Sequence, residues 1–266
     1  MLLTYDRLGW WKWILLGTSV LVAIFFLLPI VFIAGLSFGS SQWMIFPPPN
    51  WTFKWYHDFF ADPRWIDAIL ASLRIACGVT VLSVVFGLLA AFGLTRGKFR
   101  WRSAARGIFM MPMILPVVVL GVAIYSFFLR IGLSGTFPGF VLAHLVIALP
   151  FSVACCCDAL ERFDRSIEDA AILCGASPWQ AKTRITMPAI RGGLFAAAVF
   201  SFLTSWDDVV LAIFMATPRL QTLPVKIWTT LRQDLTPVVA AASTLLTLLT
   251  IVLMLIVAIT RHGMKK

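Results

Sequence analysis

The sequence predicts an all-α membrane protein with six transmembrane helices and both termini in the cytoplasm. Three observations carry this expectation. The chain is 60% hydrophobic and only 13% charged, with a mean hydropathy of +0.92, whereas soluble domains carry about 25% charged residues. Six apolar segments each reach the ~20 residues needed to cross a hydrocarbon core about 30 Å thick. Lys and Arg gather in the short segments on one side of those runs, which sets their orientation.

The first segment, 13–36, follows Arg7 and Lys12, as a signal peptide would. It is as long as a full span and no small-residue cleavage site follows, so it reads as a retained helix. The outer loop from about 39 to 67 is rich in Trp and Pro, and Trp43, Trp51, Trp55 and Trp65 suit an interfacial belt. The second span, 68–94, carries Ser83, Gly87 and Ala91 at spacing four, a small-residue stripe that permits close helix contact. Pro112 and Pro116 interrupt the third span, 107–129, and Pro150 interrupts the fourth, 137–157. Such breaks are tolerated where neighbouring helices satisfy the freed backbone, and they predict helices that bend around something. The fifth and sixth spans cover 190–216 and 237–260.

With the N-terminus inside, the cytoplasmic pieces hold most of the 22 cations: Arg7, Lys12, Arg96, Lys98, Arg100, Arg102, Arg106, Arg162, Arg165, Lys182, Arg184, Arg191, Arg261, Lys265 and Lys266. Lys54, Arg64, Arg74, Arg130, Arg219, Lys226 and Arg232 fall outside or near outer helix ends. The net charge of +10 is therefore an orientation signal, and no basic helix or aromatic surface points to nucleic acid. Cys155, Cys156 and Cys157 are contiguous, and Cys77 and Cys174 are isolated, so neither a metal site nor a disulfide framework is expected. His57, His144 and His262 are scattered and no catalytic set forms. His144, inside span four, reads as a packed, hydrogen-bonded neutral side chain, although an ionisable group there is also a functional hint.

The longest cytoplasmic loop, about 158–189, contains SIEDAAILCGASPWQAKTRITMP. It reads as two short helices. Ser166 can cap the first, with Asp169 at its third position, and Gly175 stops it. Ser177 opens the second, with Pro178 at the first position and Gln180 at the third, a capping box. Pro188 ends the unit. Ala170, Ala171, Leu173 and Ala176 give it a small apolar face that suits docking to another protein.

This loop, E-D-A-A-x-x-x-G-A-S followed by I-T-M-P, resembles the EAA loop of permease subunits of ABC importers, type I. In that pattern Asp169 takes the Glu position, next to Glu168, and Ala170, Ala171, Gly175, Ile185 and Pro188 are in register, with Ala176 and Ser177 also in the implied coupling loop. The departures are Asp for Glu and Met187 for Leu. The resemblance covers roughly 66–260. It implies a transmembrane domain over 66–260 with a coupling loop at about 161–188, preceded by an N-terminal helix and periplasmic loop over 1–65. It also implies a second permease subunit in a heterodimer, two cytoplasmic ATP-binding subunits and a periplasmic substrate-binding protein, in a bacterial inner membrane. The chain has no phosphate loop of its own; GLTRGK at 93–98 is one residue short. No catalytic residue, metal or cofactor is expected.

Four further stretches look like permeases of the spermidine/putrescine type: PMILPVVVLGVAI, LAHLVIALPF, SWDDVVLAIF and TLPVKIWTTLRQDLTP. Importers for iron, thiamine, phosphonates and opines share much of this pattern. Within SWDD, Asp207 and Asp208 sit in the outer half of span five, where a carboxylate costs about 3 kcal/mol unless it faces protein or water. Two roles are open. One or both can line the path of a cationic solute, with Trp206 adding cation–π attraction. Alternatively, an aspartate pairs with Arg74 or caps a break in the helix. A stand-alone secondary transporter using an aspartate as proton relay is the remaining rival, and it leaves the capped helix pair unexplained.

Overall fold

The computed structural model describes residues 9–233 and 236–263; Arg7, Lys265 and Lys266 lie outside these, as do the side chains of Arg261 and His262. Among the described residues the regular structure is helical, and the only bridges are Gly39–Trp51 and Thr217–Leu220. The chain divides into two units, one holding the chain to Asp62 with Thr229–Leu249, the other Pro63–Trp228 and the chain from Thr250.

In the first unit, α1 (Trp11–Ser37) runs for 27 residues, about 40 Å at 1.5 Å per residue. Its apolar side chains are exposed from Trp13 to Ile33, which suits hydrocarbon surroundings. Its hydroxyls bond to the helix itself: Thr18 Oγ1 to the Ile14 carbonyl at 2.9 Å and Ser19 Oγ to the Leu15 carbonyl at 2.7 Å. Ser37 Oγ and Tyr56 Oη share a 2.7 Å hydrogen bond, and Trp55 Nε1 donates to the Gly39 carbonyl. The first ties α1, and the second the turn that follows it, to α2 (Lys54–Ala61). Of the four tryptophans expected in a belt, Trp43 and Trp51 are exposed, but Trp55 and Trp65 are only 5% and 4% exposed.

In the second unit, α3 (Pro63–Arg96), α6 (Phe137–Arg162) and α10 (Arg191–Trp206) pack against one another. The small-residue stripe of α3 makes this possible. Ser83 accepts a 2.9 Å hydrogen bond from Ser201 of α10. A Cβ on Gly87 would collide with the side chain of Ser152 on α6, coming within 2.8 Å of its Cβ. Close approach of this kind is the usual use of small residues between membrane helices. One apolar cluster includes Ile75, Val79, Phe140, Ile147 and Leu211, and a second includes Ala91, Leu94, Val153, Cys156 and Leu160.

The proline breaks behave differently from one another. The third segment is two helices, α4 (Arg102–Ile114) and α5 (Val117–Arg130), bent by 103°. Leu115 between them is extended, φ −74° and ψ 140°, because the Pro116 ring excludes the helical conformation from the residue before it. Pro150, by contrast, lies within an uninterrupted α6. The fifth segment breaks after α10 and resumes as α11 (Val210–Met215).

Segment 158–189 forms α7 (Arg165–Leu173), α8 (Pro178–Ala181), a π-helical turn Lys182–Thr186 and α9 (Met187–Ala189). The chain then bends by 70° into α10. After α11 come α12 (Leu223–Gln233) and α13 (Pro237–Gly263). Among the described residues α1, α3 and α6 are each long and apolar enough to cross a membrane, and each of the two bent pairs adds one more if it counts as a single span.

Candidate functional site

The break in the fifth segment and the bend in the third face one cavity of about 620 Å³, within the ~300–1,000 Å³ range of small-molecule sites. Its walls include Pro112 and Met113 of α4, Ile147 and Phe151 of α6, Phe200 of α10, and both Asp207 and Asp208. The lining is therefore apolar apart from Thr204 and the two carboxylates. Phe151 and Phe200 are stacked, with ring centroids 6.4 Å apart and planes 19° apart.

Each aspartate has a distinct setting. Asp207 ends α10, its N–H donating to the Leu203 carbonyl at 3.1 Å. Asp208 starts α11: its Oδ2 accepts from the Ala212 N–H at 2.9 Å, satisfying one of the donors that a helix start leaves free. The same oxygen lies 3.7 Å from His144 Nε2. His144 is fully buried on α6, edge-on to Phe140, and its Nδ1 shares a 2.9 Å hydrogen bond with Ser205 Oγ. No ion pair joins Arg74 to either aspartate among the described residues, and Arg74 is exposed. Asp208 turns to α6 instead of to the outer end of α3. Trp206, adjacent in sequence, is 1% exposed and stacks on Phe202 at 5.7 Å. It does not line the cavity, because a helical step of about 100° turns it into the packing.

The second candidate region is the α7–α9 segment. Asp164, not Ser166, caps α7: its Oδ1 accepts from the Ser166 N–H at 2.9 Å. That hydrogen bond holds the Asp164 carboxyl below its ordinary pKa. Gly175 takes φ +96°, a conformation L side chains rarely adopt, and so ends the first helix. The capping box forms: Gln180 N–H donates to Ser177 Oγ at 3.2 Å, and Ser177 N–H donates to Gln180 Oε1 at 2.9 Å. Pro188 lies in the short α9 that closes the unit, one residue before its end at Ala189 and the bend into α10. The π-helical turn before it, closed by the Met187 N–H to the Lys182 carbonyl, widens the backbone where a proline ring would strain a regular helix.

Glu168 is 8% exposed and accepts a 3.2 Å hydrogen bond from Thr186 Oγ1, joining the two halves of the segment. Asp169 is exposed and lies 3.8 Å from Arg165 Nε. Ala170 and Leu173 are exposed, Leu173 by 88%, and Ala176 and Ile185 are half-buried. Just before this segment, Arg96 of α3 holds the end of α6, donating to the carbonyls of Leu160 and Phe163 at 3.4 and 3.2 Å.

Residues 83–266 match the family described as binding-protein-dependent transport system inner membrane component. The chain belongs to this family. It is 28% identical to the spermidine/putrescine transport system permease protein PotC of Escherichia coli (strain K12) over 242 residues, 90% of each chain. It is 30% identical to the trehalose transport system permease protein SugB of Mycobacterium tuberculosis (strain CDC 1551 / Oshkosh), covering 81% of this chain and 79% of that one. A bacterial ABC transporter that imports the acidic polysaccharide alginate shares the fold, with a TM-score of 0.71 at 16% identity, covering 97% of this chain and 98% of that chain.

The protein is thus an ABC importer permease subunit, a multi-pass inner-membrane transport component and not an enzyme. Two features of the permease were not read from its sequence. The aromatic wall of Phe151 and Phe200 carries no motif that separates it from other apolar positions. The approach of His144 to Asp208 joins two intramembrane ionisable groups, and that shared rarity was the available signal.

Proposed function

We propose that the permease forms half of the translocation path for a small cationic solute, of the polyamine class. The observation that carries this reading is that Asp207 and Asp208, adjacent in sequence, both line the 620 Å³ cavity. In an apolar wall a carboxylate attracts a cation far more strongly than in water. The stacked rings of Phe151 and Phe200 offer faces for the apolar stem or ammonium of an amine. The similarity to PotC supports the same class.

In this reading six spans cross the membrane with both termini in the cytoplasm. Residues 66–260 form the transmembrane domain, and 1–65 add a helix and a periplasmic loop. A second permease completes the path in a heterodimer, and a periplasmic binding protein delivers the solute. The segment carrying Glu168, Asp169, Ala170, Ala171, Gly175, Ala176, Ser177, Ile185 and Pro188 docks on one of two cytoplasmic ATPase subunits. ATP binding closes the ATPase pair, and the segment passes that movement through α9 to α10 and the helices around the cavity.

A second reading, a neutral sugar as solute, is favoured by the 30% identity to SugB. Uptake by the intact transporter in proteoliposomes separates the two. With labelled putrescine, D207N and D208N each reduce uptake by about tenfold, equivalent to ~1.4 kcal/mol. Asn at 208 still accepts the Ala212 hydrogen bond, so this variant removes charge and keeps the cap. Trehalose uptake with indifference to both variants overturns the cationic reading.

A further inference from the structure

At the turn from α3 into α4, Lys98, Phe99, Arg100, Trp101 and Arg102 alternate cation and aromatic ring, and all five are exposed. We propose that this turn, with the free face of α4, is a binding site for one anionic phospholipid of the cytoplasmic leaflet. The proposal rests on the orientation given above.

The orientation bias accounts for the side on which these cations lie, but not for the exposed rings between them. Among the described residues no ion pair engages Lys98, Arg100 or Arg102. The carboxylates on the adjoining end of α6 are already matched, Asp158 by Arg162 at 3.0 Å and Glu161 by Arg106 at 3.3 Å. Arg102 also interacts electrostatically with Cys157 of α6, a thiol and not a counter-charge. The turn is tight. The Gly97 N–H donates to the Gly93 carbonyl at 3.0 Å and the Arg102 N–H to the Phe99 carbonyl at 3.4 Å. A Cβ on Gly97 would strike the Gly93 carbonyl. The three charges are thereby held close together, where they attract a phosphate.

Helix α4 supplies the apolar half of the site. Its Ala105, Phe109 and Met110 pack against the cluster that holds Ala91, Val153 and Leu160, and its Pro112 and Met113 line the cavity. Trp101, Ala104, Ile108 and Met111, spaced by three and four, form a third face that stays exposed. Two helical steps of about 100° put Met111 on the far side of α4 from Met113, so this face is not part of the path. From Trp101 to Met111 the chain rises ~15 Å, half of a hydrocarbon core about 30 Å thick. That is the depth of one leaflet. A single phospholipid meets both halves, with its phosphate among the cations, its glycerol beside Trp101 and an acyl chain along Ile108 and Met111. An acidic patch on a soluble partner matches the cations and leaves the apolar face uncovered.

The test titrates the intact, delipidated transporter in neutral detergent with phosphatidylglycerol and counts bound lipid by native mass spectrometry. K98Q/R100Q should weaken binding of the first phosphatidylglycerol at least about tenfold, while K98R/R100K binds it as wild type does. R184Q/R191Q, which removes two exposed cations elsewhere on the cytoplasmic side, should leave it unchanged. Glycerophosphoglycerol, the headgroup without acyl chains, should not compete. Equal phosphatidylglycerol affinity in K98Q/R100Q and wild type overturns the site. So does an equal loss in R184Q/R191Q, which reduces the effect to net charge. A K98Q/R100Q transporter that keeps the lipid but releases an ATPase subunit assigns the cations to that subunit and overturns it as well. If the lipid results hold but an impermeant thiol reagent reaches S103C only from the periplasmic side, the orientation reading fails instead and the site belongs to the outer leaflet.

Discussion

His144 Nε2 and Asp208 Oδ2 face each other across 3.7 Å at the edge of the apolar cavity. Ser205 engages the other ring nitrogen at 2.9 Å. At 3.7 Å Nε2 makes no hydrogen bond to the carboxylate, so the bond to Ser205 is the one that holds the ring. H144L leaves buried Ser205 without that partner. It should lower stability by about 1–3 kcal/mol, the cost of unsatisfied buried polar groups. Thermal unfolding of the purified transporter measures this, and H144Q, which keeps a donor, should recover part of the loss. Equal melting temperatures for H144L and wild type would count against the pairing.

Gly87 is a packing glycine. G87L drives a side chain into Ser152, and overpacking of this kind costs about 1–3 kcal/mol. The expected result is a lowered melting temperature with impaired assembly. G87A combined with S152G should be milder than G87A alone, because the Ser152 hydroxyl and Cβ are the nearest obstacles. An additive or worsened double variant would show that α3 and α6 do not meet at this point.

Gly175 is different, because a Cβ at this position would meet no atom within 4 Å and the constraint is its φ of +96°. Strain of about 1–3 kcal/mol follows for any L residue there. G175L should therefore leave the protein in the membrane and realign α7 against α8. Under the proposed docking role, ATP hydrolysis persists while uptake falls, so the ratio of uptake to hydrolysis is the measurement. Wild-type coupling in G175L would speak against that role.

The capping box offers a graded control. S177A removes the side-chain acceptor for the Gln180 N–H and should destabilise the start of α8 by about 1 kcal/mol. Hydrogen exchange over 178–181 should quicken while exchange in α3 and α6 stays slow. Uniform protection across α8 in S177A would mean that tertiary contacts, not the cap, hold it.

Much of this molecule was legible because a bilayer imposes simple rules. Apolar length located α1, α3, α6 and α13, and the small-residue stripe of α3 lies where its spacing implied. Turn chemistry located Gly175 and the Ser177–Gln180 box. What was not legible depends on tertiary geometry. Pro116 and Pro150 look alike in sequence, but one accompanies a 103° bend and the other sits in a continuous helix. Composition could not separate Trp43 in an exposed position from Trp55 in packing. Asp164 and Ser166 are both good caps two residues apart, and the backbone used the first. Trp206 joined the aspartates by adjacency alone, while its indole turned inward.

Asp208 holds two occupations with one oxygen. The oxygen that receives the Ala212 N–H also lies 3.7 Å from His144 Nε2. A visiting cation that claims this oxygen competes with the first turn of α11, a helix of only six residues. Under the proposed cationic path, occupancy of the cavity and the integrity of a helix end are entered on the same atom.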